Sequence, residues 1–214
     1  SLGSEQVIRP GQVNLMTAGR GIAHTEESLP NQPDLHAAQL WIALPEEDQH
    51  TSPRFDHYPR LPRWQEGEIT LPLLIGEHGG YSAPTLHFSP ILGLDLHAPA
   101  GGRLTLTLNP AFEHGLFPLQ GQASIAGDAL EPEQLLYLPP GNRAVAVELS
   151  PGARVLLIGG EPLTQPLQIW WNLVSFDREA IRTAAADWER GDPRFGEVQG
   201  YAGPRLQAPP LAGI

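Results

Sequence analysis

The chain has 214 residues, 41% of them apolar, and sets 13 basic against 24 acidic side chains for a net charge of −11. That sign repels phosphate and disfavours sequence-independent binding of nucleic acid or of an anionic membrane. Cysteine is absent, which excludes disulfides and thiolate metal sites, so any bound ion must be held by histidine and carboxylate.

Glycine and proline, 23 of each, make up about a fifth of the residues, and five tryptophans are spread along the chain. Many short strands joined by turns, an all-β fold with an apolar core, are the natural reading of that composition. No apolar stretch approaches the ~18 residues of a membrane span. The first residues lack the basic-then-apolar pattern of a secretion signal. A cytoplasmic protein without a membrane partner is therefore expected.

In chain order, strands are expected at 5–8, 13–16, 22–26 and 37–44. Pro10-Gly11 marks a tight turn before the second of these, and Gly19 and Gly21 mark a sharp bend before the third. Within 22–26, alternate residues of a strand share one face about 6.7 Å apart. His24 and Glu26 then lean onto one divalent ion as imidazole and carboxylate, a mixed donor set that suits Fe(II), with Zn, Ni, Cu or Mn also possible.

Residues 45–62 read as loop, and His50 and His57 as solvated. A strand at 69–75 is interrupted by Pro72, and 77–80 turn the chain at the junction between two halves. Further strands are expected at 91–97, 103–108, 117–126, 134–138, 144–149 and 154–158, with the alternation of 103–108 (RLTLTL) the clearest. In place of a His-x-Glu, the strand after Pro140-Gly141 offers Ala144, Val145, Ala146 and Val147, which cannot ligate. The second half is therefore expected to be metal-free. His114 follows Glu113 directly, so the two face opposite ways in a strand, and it reads as structural or surface. His87 and His97 lack a partner at strand spacing, while Asp95 and His97 read as a hydrogen-bonded pair or an exposed face. One helix is expected near the end: Ser175 or Asp177 caps it, Ile181, Ala184, Ala185 and Trp188 share a face, and Gly191 and Pro193 stop it. It is expected to pack on a barrel wall, with residues 194–214 extended or partly ordered.

The run PGQVNLMTAGRGIAHTEES (residues 10–28), with HAAQLWIAL (36–44), VLLIGGEPL (155–163) and Trp170-Trp171-Asn172, resembles the pirin family, iron-binding members of the cupin superfamily. The resemblance implies two cupin, jelly-roll-like β-barrels in tandem: 1–77 the metal-bearing N-terminal domain, 78–175 the metal-free C-terminal domain, and 176–214 a helix and tail. Pirins hold Fe(II) with a His-x-His pair followed by a His and a Glu. His24 and Glu26 match the second pair, and the first would lie upstream of Ser1, so the N-terminal domain is expected to be incomplete here. Alone, two ligands should hold iron weakly. Bacterial members resemble quercetin 2,3-dioxygenases. That implies a flavonol and O₂ as reactants, Glu26 as general base, and ring opening with loss of carbon monoxide. Other members are iron-binding regulators that act through protein partners without catalysis.

Overall fold

The computed structural model of the chain describes residues 1–31 and 35–211. Its strands are β1 (Val13–Thr17), β2 (Arg54–Tyr58), β3 (Arg63–Glu66), β4 (Ile69–Ile75), β5 (Glu77–His78), β6 (Tyr81–Ser82), β7 (Ile91–Ala98) and β8 (Gly102–Thr107). They continue as β9 (Glu113–Gln120), β10 (Ala123–Ile125), β11 (Asp128–Leu130), β12 (Leu136–Leu138), β13 (Ala144–Leu149), β14 (Ala153–Gly160), β15 (Gln168–Trp170) and β16 (Leu173–Ser175). The helix α1 (Arg178–Glu189) follows. Among the described residues no helix is long and apolar enough to cross a membrane. The chain divides into two compact units, one of Ile8–Leu15 with His57–Pro162, the other of Ser1–Val7, Met16–Asp56 and Leu163–Ile214.

The first unit is an antiparallel sandwich. Six strands run in the order β12-β9-β14-β7-β4-β3 and four in the order β11-β10-β13-β8. Alternation in the sequence places the core: in β13, Val145, Val147 and Leu149 are buried while Ala144, Ala146 and Glu148 are exposed. The central strand β7 is buried almost continuously, Leu92 to Leu96, because it is paired on both edges and covered on both faces. Leu71, Leu94, Leu116, Leu157 and Val147 meet in one core cluster. Full burial of each such side chain stabilises by about 1.5–3 kcal/mol. β4 runs straight through Pro72, and its ladder to β7 shifts register just beyond, between Leu73 and Ile75, an irregularity of the kind that tolerates proline in a sheet. Because β3 and β4 belong to the six-stranded sheet, this unit takes in residues ahead of the 77/78 boundary expected from the sequence.

The second unit holds the β15–β16 hairpin and α1. Asp177 caps the helix, its Oδ1 accepting from the Glu179 amide at 2.9 Å, and Ile181 and Ala185 are buried. Trp188 packs edge-on against Trp171 at 5.5 Å and against Phe195 at 5.2 Å. The helix thus packs on an aromatic cluster and the hairpin of its own unit, where a barrel wall was expected.

Several expected strands do not form. Residues 5–8, 22–26 and 37–44 have no ladder partner among the described residues and run as coil. A lone strand leaves its amides unpaired, and alternation by itself does not fold it. Leu40, Trp41 and Ile42 consequently stand exposed. The expected strand 117–126 is two strands, β9 beginning earlier at Glu113 and β10 starting after a turn at Gly121 (φ +69°). The expected loop 45–62 contains β2, which pairs with β1.

Candidate functional site

His24 and Glu26 lie just after a tight turn. The amide of Gly21 donates to the carbonyl of Ala18 at 3.0 Å, and the amide of Arg20 donates to Thr51 O at 3.1 Å. Gly19 (φ +49°) sits against the Thr51 carbonyl with no room for a side chain. Arg194 Nη1 donates to the Arg20 carbonyl at 2.6 Å, and Ser1 Oγ accepts from the Ala23 amide at 3.1 Å. The sequence glycines were read as a bend, and a bend is what they make; the strand expected to follow is an irregular segment pinned at these points.

The two side chains nevertheless converge. His24 Nε2 stands 3.8 Å from Glu26 Oε1, with both side chains well exposed. Gln39 Nε2 also donates to Glu26 Oε1, at 3.4 Å. Imidazole and carboxylate together suit a divalent ion such as Fe(II), and their spacing lets both face one ion. They supply two donors. Among the described residues no group of three or more His, Asp or Glu converges as a metal ion would need.

The remaining histidines are elsewhere engaged or apart. His36 and His50 are exposed. His57 is half-buried in β2 and meets Asn14 Oδ1 through Nδ1 at 2.6 Å, so the solvated reading was wrong for it. Asp95 is buried and pairs with Arg154 across β7 and β14, so of the two expected alternatives the Asp95–His97 hydrogen bond does not form, while the exposed face holds for His97 alone.

His114 is a larger departure. It sits in β9 and is 1% exposed, which removes the surface half of its expected role, and neither ring nitrogen has a hydrogen-bond partner. Burial, and secondarily the nearby His78, push its pKa below the usual histidine value. At one end of the sandwich lies a cavity of about 700 Å³, lined in part by Glu66, His78, His87, Leu92 and Phe112. His78 was read only as a turn residue. Its role as lining depends on the short β5–β6 hairpin, which a two-residue strand does not announce in sequence.

Two family models match the chain: that of pirin over residues 1–42 and that of the pirin C-terminal cupin domain over residues 93–196. A Pseudomonas aeruginosa protein provisionally named as a quercetin 2,3-dioxygenase is 52% identical over 211 residues, covering 99% of this chain and 67% of that protein. A pirin-like protein of Caulobacter vibrioides is 33% identical over 198 residues, covering 89% of this chain and 67% of its own. The crystal structure of a quercetin 2,3-dioxygenase from Acinetobacter baumannii superposes with a TM-score of 0.97 at 42% identity, over 100% of this chain and 72% of that one.

Proposed function

The chain belongs to the pirin family, and on that basis we propose that the full-length protein is a metal-dependent dioxygenase that opens the ring of quercetin-type flavonols. The observation that carries the reading is the likeness at a TM-score of 0.97 and 42% identity, over the whole of this chain, to a quercetin 2,3-dioxygenase. The exposed pairing of His24 with Glu26 agrees with it, since a reactive centre must be reached by its substrate.

In this reading His24 and Glu26 would supply two ligands to Fe(II). Held by His24 and Glu26, a divalent ion would supply Lewis acidity that lowers the pKa of a substrate hydroxyl. Glu26 accepts that hydroxyl's proton on a carboxylate oxygen as general base. Gln39, donating to Oε1 at 3.4 Å, orients the carboxylate and leaves Oε2 free of that bond. His24 fixes its imidazole beside the carboxylate through the pinned Ala18–Gly21 turn. Glu26→Gln and His24→Ala in the full-length protein test the two roles: compared at equal metal loading the first should remove turnover, and the second should lower both metal content and turnover. Full turnover in both variants would refute the assignment.

A further inference from the structure

Residues 22–26 run as coil, without a ladder to fix where His24 and Glu26 point. Their placement falls to the anchors of the turn before them, and one of these comes from 174 residues away in the chain: Arg194 Nη1 donates to the Arg20 carbonyl at 2.6 Å. The main chain closes in at the same place. A Cβ on Gly21, whose amide closes the turn onto Ala18, would stand 3.2 Å from Arg194 O and 3.3 Å from Phe195 Cδ1. Residues 194 and 195 thus meet the turn twice, once by a side chain and once by backbone.

The guanidinium is itself held in place. Asp187 on α1 is 7% exposed; its Oδ2 stands 2.9 Å from Arg194 Nε, and its Oδ1 2.6 Å from Arg190 Nη2. A buried carboxylate is tolerated where cations compensate it, so the pair fixes Arg194 along one edge. The same guanidinium lies over the Phe195 ring at 4.5 Å, and Asp192 Oδ1 accepts from the Arg194 amide at 3.0 Å. A planar fork with one edge on Asp187 still presents Nη1 to the Arg20 carbonyl, whereas a lysine ammonium is a single point and cannot span both. We propose that Arg194 is a positioning residue for the candidate metal site: it ties α1, through Asp187, to the turn that sets where His24 and Glu26 converge. The inference rests on the reading of those two side chains as metal ligands. Arg190 is the natural control, because its ion pairs go to Asp187 and Asp192 and so lie outside the turn.

Fe(II) is titrated anaerobically into metal-free, full-length protein, and melting temperature and quercetin turnover are measured on the same preparations. Arg194→Ala should weaken Fe(II) binding about tenfold, the lower end of the effect of groups that orient a metal ligand. Arg194→Lys keeps a cation beside Asp187 and with it the fold, yet should weaken binding in the same direction, so it carries the test even where the alanine variant does not fold. Arg190→Ala takes the other guanidinium from the same carboxylate. It should lower the melting temperature and leave Fe(II) affinity at the wild-type value. Wild-type affinity in the Arg194→Lys protein would overturn the positioning role, and so would an equal loss of affinity in Arg190→Ala, which would mark a general loss of stability. Affinity unchanged by His24→Ala would overturn the ligand reading and the positioning role with it. Fe(II) binding that depends on Arg194 without any quercetin turnover by the wild type would uphold the positioning role and refute the flavonol reading alone.

Discussion

Asp95 and Arg154 clamp the two central strands of the six-stranded sheet together: Nε of Arg154 donates to Asp95 Oδ1 at 2.8 Å and Nη2 to Oδ2 at 2.5 Å. The carboxylate is 5% exposed, and the hydrogen bond it offers holds the guanidinium above its ordinary pKa. Arg154→Ala leaves a buried carboxylate without its partner, at a cost of about 1–3 kcal/mol. Arg154→Lys should recover part of that, because an ammonium cannot reproduce the two-pronged contact. Urea unfolding of the three proteins checks both the loss and the order.

The histidines of the sandwich give a pH dependence with a definite sign. Burial is the largest effect on both His114 and His78, lowering each below 6.5; His114 is lowered further by His78, while Glu66 partly offsets the shift at His78. In the unfolded chain each ring gains its proton near 6.5, whereas in the folded protein it does so only at lower pH. The unfolded state therefore binds more protons in that window, and stability falls as the pH drops from about 6.5 toward the folded values. His114→Leu should flatten this fall, leaving the part due to His78. Melting temperatures between pH 7.5 and about 5 measure it, and an unchanged slope would show that His114 does not contribute.

Gly19 joins the turn to the candidate metal ligands. Its φ of +49° is the left-handed region, and a Cβ would overlap the Thr51 carbonyl oxygen that receives the Arg20 amide. Gly19→Ala should destabilise the protein by about 1–3 kcal/mol and lower iron retention in the full-length chain, because the segment carrying His24 and Glu26 loses its anchor. Calorimetry and metal analysis after dialysis read the two effects.

Where a strand has its partners within the chain, the sequence pattern located it closely. The strand at 144–149 matches β13 residue for residue, and 13–16, 69–75 and 91–97 fall within a residue of β1, β4 and β7. Where pairing partners are lacking among the described residues, the sequence pattern misled: 37–44 (AAQLWIAL) is as apolar as a buried strand, yet Trp41 and Ile42 lie exposed on coil. Periodicity reports which face could be buried and says nothing of whether a ladder exists to bury it. His24 and Glu26 stand in one local motif, and their side chains approach to 3.8 Å although residues 22–26 run as coil. His114 was not, because its enclosure depends on Gly159, 45 residues away in the chain and opposite it in the sheet.

The role of Glu26 can be read most directly from oxygen consumption with quercetin, compared between the full-length wild type and Glu26→Gln at equal iron content. A general base contributes ~10²–10⁴-fold, so at that equal iron content the folded variant's turnover should fall by at least about a hundredfold. Full turnover by Glu26→Gln at full loading would contradict the assignment of that carboxylate, and no turnover by the wild type would contradict the enzyme reading itself.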